Sequence, residues 1–447
     1  MIRKKINLNI YQTITLTFVL IILSGAILLT LPFASVSKQS CGFLTALFTS
    51  TSAVCVTGLS VVDIKTTYSL FGQIVLLILM ETGGLGFMSI ITVLFHIVNH
   101  KKDVQTLALS AESLGLDDIK SISRIQRRLI LGSLSFETLG AVILSICFLP
   151  MMKVPEAIWF GIFHAVSAFC NAGFDLMGYF EPGSSLITAN SNPLILITIA
   201  LLIIIGGIGF MVWDDIAVAH KSRNWSIYTR IVISVTSVLI VAGTVAFFLI
   251  EKDNPDTIGN MSLLDKIINS FFQSVTPRTA GFASVDQGKL EGASAALTSI
   301  LMMVGGSAGS TAGGIKTATF LILLKTMIAN LQGKKNVTLF HRTITDEQLR
   351  YAFTVIEGFV IVSVAGGFLI GFTSDVGFMS ALFESISALA TVGLSLGITS
   401  SLSPASCITA IILMYIGRVG LLTLTLGFFK AKEDPNIKYP TAKIMIG

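Results

Sequence analysis

The sequence predicts an all-α membrane protein: four tandem helix, pore-loop, helix repeats around a central pore, giving eight transmembrane helices and four re-entrant pore helices. Three observations carry this: the composition, eight long apolar runs, and four short segments that align with one another. Of 447 residues, 53% are hydrophobic and only 12% charged, too apolar for a water-soluble fold to cover with polar surface.

A span needs about 20 mostly apolar residues, and runs of that size lie near 10–32, 72–97, 129–150, 192–213, 229–250, 295–330, 352–373 and 405–429. The first follows Arg3, Lys4 and Lys5 but has too long an apolar core for a cleaved signal peptide, so it reads as a retained helix. With the N-terminus inside, the inner segments hold 21 Lys and Arg and the outer segments 7. That bias predicts that both termini are cytoplasmic. The five cysteines (41, 55, 147, 170, 407) show no CxxC spacing, and the dispersed basic residues form no nucleic-acid footprint.

Between the two spans of each pair lies a segment too short to cross: FTSTSAVCVTGL, FHAVSAFCNAGF, FFQSVTPRTAGF and LFESISALATVGL. Superposing Gly58, Gly173, Gly281 and Gly393 puts Phe48, Phe163, Phe271 and Phe383 ten residues earlier in each, and the glycines are 115, 108 and 112 residues apart. This period predicts repeats over 1–98, 99–213, 214–330 and 331–430, followed by a cytoplasmic tail, 431–447. A glycine echo in the second helices, Gly83-Gly84, Gly206-Gly207, Gly305-Gly306 and Gly417-Arg418, predicts close backbone packing.

In each loop about ten residues from the Phe onward are expected to descend as a short helix and the chain to return extended through the glycine, leaving carbonyls unpaired. Irregular backbone at that depth survives only beside water or buried in protein, so four returns around one axis would offer a cation a ring of oxygens. The C-terminal ends of the short helices would favour positive charge there. Asp63, Asp175, Asp286, Asp375 and Glu384 are candidates for drawing cations to the mouth, or are ordinary surface.

The run 295–330 would be roughly 54 Å long as one helix, against a hydrocarbon core of about 30 Å, so it must break. The break is readable in the glycine- and hydroxyl-rich stretch Gly305 to Lys316. That stretch misses the GxxxxGK[ST] phosphate loop because Ile315 stands where lysine is required. Lys316 and Arg418 are charges inside apolar runs, and each either reaches the inner edge or serves the pore. Glu81, Glu137 and Glu357 are also embedded; they are candidates for ion or proton relays or partners for buried donors, the latter being the expected role. The lack of HExxH and the presence of only five scattered histidines argue against an enzyme.

With these loops the chain resembles the Ktr/Trk/HKT superfamily of potassium transporters over nearly its whole length, and within it the bacterial KtrB-type membrane subunit. The resemblance implies potassium coordination by the carbonyls of Val56, Thr57, Gly58, Asn171, Ala172, Gly173, Thr279, Ala280, Gly281, Thr391, Val392 and Gly393. It implies a gate at Gly305, Gly306, Ser307, Gly309, Ser310, Gly313, Gly314 and Lys316, with Arg418 beneath the filter. It also implies a homodimer among the lipids of the bacterial inner membrane, seated on a cytosolic ring of RCK-type subunits that bind ATP or ADP. No cofactor is expected in this chain, potassium is the cargo, and sodium is a candidate activating ion. Glycine in all four loops points to potassium, since some plant HKT relatives with serine in the first loop prefer sodium. An alternating-access, ion-coupled secondary transporter is the alternative, but it usually shows inverted rather than parallel repeats.

Overall fold

The structure is a computed structural model, and it describes residues 10–86, 122–222, 225–420 and 423–424. Residues 99–121 of the expected inner loop 99–128, the tail 431–447, and parts of the second and eighth runs lie outside the described residues.

The chain is a multi-pass, mainly helical membrane protein whose four repeats share one plan. Each opens with a long apolar helix: α1 (Ile10–Thr30), α4 (Ile122–Phe148), α8 (Ile227–Glu251) and α12 (Asp346–Ser374). Among the described residues these are the four single helices long and apolar enough to cross a membrane. A short helix follows in each repeat, α2 (Phe43–Val54), α5 (Val154–Phe169), α9 (Leu263–Val275) and α13 (Phe378–Leu389), packed on the long helix before it. These pore helices begin five to nine residues before the aligned Phe, not at it, because the chain can stay helical from the outer surface inward.

The alignment of the third repeat needs one correction. Its fully buried aromatic is Phe272, matching Phe48 and Phe163, while Phe271 is only partly buried. Two residues beyond that Phe, a serine hydroxyl donates to a carbonyl of the preceding long helix: Ser50 to Ile22 at 2.7 Å, Ser274 to Ile240 at 2.8 Å, Ser385 to Ser363 at 2.7 Å. The third pore helix is therefore shifted by one residue against its glycine.

The second helices are α3 (Leu70–Gly84), α6 (Pro193–Ile208), α10 (Gly292–Met303) and α14 (Pro404–Val419). Ser69, Asn192 and Ser403 cap three of them by accepting backbone N–H bonds, and proline occupies the first turn of α6 and α14. They stop after 12 to 16 residues, roughly 18 to 24 Å, short of a full crossing. The sequence predicts such a break only in repeat 3. Among the described residues the second helix ends early in every repeat, with Gly86, Gly209 and Gly420 just beyond it at φ of 77°, 93° and 90°, and with the Gly305–Lys316 segment in repeat 3. A left-handed residue ends an α-helix, and glycine adopts it without penalty. After Gly209 the chain turns by 90° into α7 (Phe210–Ser222), so the run 192–213 is not one straight span. After the Gly305–Lys316 segment it resumes as α11 (Thr317–Leu331). The connection to repeat 4 carries a small hairpin, β1 (Thr338–Leu339) against β2 (Arg342–Thr343).

The paired glycines of the second helices sit against the ends of the pore helices. A Cβ on Gly83, Gly206 or Gly417 would run into the last helical carbonyl, that of Val54, Phe169 or Leu389. Gly206→Ala is therefore expected to cost about 1–3 kcal/mol by overpacking, read as a lowered unfolding midpoint of the detergent-solubilised protein.

Candidate ion pathway: a ring of four returns above a glycine-rich segment

The end of each pore helix dictates the conformation of the return. In repeat 1, Val56 N–H donates to Ala53 O, Thr57 N–H to Ser52 O, and Gly58 N–H to Ser52 Oγ at 3.0 Å. Repeat 4 repeats this with Thr391, Val392 and Gly393 on Ala388 O, Ser387 O and Ser387 Oγ. Asn171 and Ala172 do the same on Ala168 and Ser167. In repeat 3, Ala280 and Gly281 donate to Thr276 O, and Thr276 Oγ1 donates to Phe282 O at 2.6 Å. With the N–H groups turned back onto the helix ends, the carbonyls are free to face the other way. Making this turn puts Val56, Asn171, Thr279 and Thr391 at φ of 51°, 56°, 67° and 53°, and the four glycines at 71° to 96°. A left-handed non-glycine residue is uncommon, and here it recurs in all four loops.

The returns close into a ring in chain order. A Cβ on Gly58 would stand 2.7 Å from Ala172 O, and one on Gly173 2.5 Å from Ala280 O. One on Gly281 would strike Val392 O, and one on Gly393 would strike Thr57 O. Each glycine thus abuts the middle carbonyl of the next repeat, and the fourth abuts that of the first. The side chains of the other eight return residues are buried behind this ring. Leu59, Phe174, Phe282 and Leu394 brace it from outside, each at most 2% exposed.

Above the glycines is a cavity of about 320 Å³ lined by all four of them together with Asp63 and Asp175. Asp286 and Asp375 are exposed elsewhere on the surface. Glu384 does not reach the mouth, because it is fully buried in α13 and accepts a 2.5 Å bond from Thr399.

Beneath the ring lies the segment from Gly305 to Lys316. Its neck is closed by Gly305 N–H on Ile315 O, Ile315 N–H on Met303 O and Thr317 N–H on Gly306 O, with Gly314, φ 66°, pressed on Gly305. The loop is tied to repeat 2 by Ser307 N–H to Gly207 O, Thr311 N–H to Gly206 O and Phe210 N–H to Gly309 O. Ser310 Oγ caps the turn on Ser307 O at 2.7 Å. Gly313 lies under repeat 4, where a Cβ would meet the Thr391 side chain. The Lys316 ammonium stays in the loop and donates to Ala312 O at 2.8 Å. Arg418 donates to Thr311 O at 2.5 Å and to Gly83 O and Gly84 O, joining repeat 4, the loop and repeat 1. A second cavity of about 310 Å³, lined in part by Lys316, Leu389 and Arg418, opens on this side.

A model of the TrkH family, described as cation transport protein, matches residues 8–439. The chain belongs to the TrkH family. It is 38% identical over its whole length to the potassium/sodium uptake protein NtpJ of Enterococcus hirae, covering 99% of that protein. It is 36% identical to the Ktr system potassium uptake protein B of Bacillus subtilis, with 98% of this chain and 96% of that protein aligned. Its fold matches the potassium transporter TrkH from Vibrio parahaemolyticus with a TM-score of 0.72 at 18% identity, covering 96% of this chain and 86% of that one.

Two anchors of this TrkH-family chain escape sequence reasoning. Arg278, counted above among the outer residues, is buried at the base of the third return and donates to Gly305 O at 3.3 Å. Its position three residues before the loop glycine was the available signal. Tyr228, at the start of α8, donates to Ala308 O at 2.9 Å, and nothing in its sequence neighbourhood points to that contact.

Proposed function

We infer that the chain takes up potassium across a bacterial cell membrane, as the membrane subunit of a Ktr-type system. The observation that carries this reading is the closed ring in which each return glycine abuts the carbonyl of the next repeat. Such a ring of backbone oxygens suits a dehydrated cation and repels an anion. Coordination falls to the carbonyls of the twelve return residues, and the Gly305–Lys316 segment with Arg418 acts as the gate. The relatives named for potassium uptake supply the ion, and the one named also for sodium supports sodium as a second, activating ion.

The subunit works as a homodimer in the inner membrane, both termini in the cytoplasm, on a cytosolic RCK-type ring that binds ATP or ADP. The inner connection 331–350 with its hairpin is a docking surface for that ring. Expression in a bacterium lacking its own potassium uptake should restore growth and rubidium uptake at low potassium, faster with sodium than without. No uptake under either condition would remove the reading. A reporter fused after Lys335 should read cytoplasmic and one at Lys252 external, and a reversal at either site would overturn the orientation.

A further inference from the structure

Three ligand-type side chains from three elements meet beside the second return. Glu81 on α3, Glu137 on α4 and Cys170 at the C-terminal end of α5 each offer an atom, all within 4.8 Å of one another. Cys170 is fully buried and Glu137 is 5% exposed. Cys170 Sγ donates to Glu81 Oε2 at 3.3 Å, whereas Glu137 Oε1 is buried with no hydrogen-bond partner. The nearby guanidinium of Arg418 does not answer it, because Arg418 bonds the carbonyls of Gly83, Gly84 and Thr311. Two carboxyl groups facing one another away from water need a shared proton or a cation between them.

We propose that Glu81, Glu137 and Cys170 form a binding site for a thiophilic divalent cation of the zinc class. A thiolate with two carboxylates selects a borderline-soft metal over magnesium or calcium, and three protein ligands leave a fourth position for water. Binding forms an S–metal bond and releases the thiol proton to solvent, with a second proton leaving where the carboxyl pair holds one. Three anionic ligands around a divalent ion leave one net negative charge, which Arg418 offsets. The bound ion straps α3 to the base of the second return. Gly84, whose Cβ would meet Cys170 Sγ, shares its carbonyl with Arg418. Occupancy therefore holds the seat of Arg418 in place and lowers ion flux, a consequence that rests on the function inferred above, whereas the binding itself does not.

The test is titration of the purified full-length protein in detergent with cadmium, following the thiolate-to-cadmium charge-transfer absorption, together with zinc calorimetry in two buffers to count released protons. The expected result is one cadmium per chain, the band lost in Cys170→Ser and kept in Cys147→Ser, and affinity reduced in Glu137→Gln by at least the roughly 10- to 100-fold that loss of a ligand's supporting partner costs. No band in the unmodified protein overturns the site, and that reading needs no variant to fold. A band that survives Cys170→Ser, or an unchanged affinity in Glu137→Gln, overturns it as well; the latter would leave a carboxyl pair sharing a proton. In proteoliposomes, zinc should slow potassium flux in the wild type and not in Cys170→Ser. Binding with unchanged flux would remove the strap, while absence of flux without metal would count against the transport reading alone.

Discussion

Gly58→Ser should lower the preference for potassium over sodium by about tenfold or more, equivalent to roughly 1.4 kcal/mol of lost discrimination. The reason is in the ring itself. A Cβ on Gly58 points at the neighbouring return, 2.7 Å from Ala172 O and 2.9 Å from the Cα of Gly173, at a φ of 91° that side chains disfavour. It cannot be housed without displacing a carbonyl of the ring, so the spacing of the oxygens changes before any hydroxyl acts. Gly58→Ala should then be about as damaging as Gly58→Ser. The check is the permeability ratio from reversal potentials in proteoliposomes of known composition. An alanine variant with wild-type selectivity and a serine variant without it would mean that the hydroxyl supplies a competing ligand, against the steric account.

The period of the loop glycines makes the repeat legible in sequence, because a glycine at one tight approach cannot be replaced and its spacing survives as a pattern. The break in repeat 3 is legible for the same reason, since five glycines cannot sustain a helix at that depth. The helix ends before Gly86, Gly209 and Gly420 are not, since a single glycine in an apolar run looks like a packing glycine until its φ is known. The one-residue shift of the third pore helix is hidden because Phe271 and Phe272 are adjacent and only one is buried. Glu384 looks like a mouth residue from its place in the chain, yet a helix begun earlier carries it behind the return to meet Thr399. Long-range partners such as Arg418 with Gly83, or Tyr228 with Ala308, arise from closure of the four repeats, which no local pattern encodes.

The largest change in flux is expected from excising residues 306–313, the body of the segment under the ring. The neck permits the excision, because Gly305 and Gly314 already lie against each other and Val304 pairs with Ile315. Because Val304 and Ile315 pair in parallel, joining Gly305 to Gly314 between α10 and α11 needs a local turn at the neck. What is lost is the part of the segment beneath the returns: Thr311 under the Phe169 carbonyl and Gly313 under Thr391. Arg418 loses one of its acceptors, Thr311 O, and keeps those on α3. Irregular backbone held by single hydrogen bonds of about 1 kcal/mol each is the part of this path that a partner could move. Potassium flux in the deletion variant should rise several-fold and lose its dependence on a cytosolic subunit. Selectivity should persist, because all twelve return residues and the helix ends that hold them remain. Flux assays on reconstituted protein, with monodispersity checked first, decide it. A well-folded variant no faster than wild type and still dependent on a partner would make the segment a structural break. Control of flux would then fall to Arg418, and Arg418→Ala, which removes the bonds to Gly83 and Thr311 together, would have to raise flux where the deletion did not.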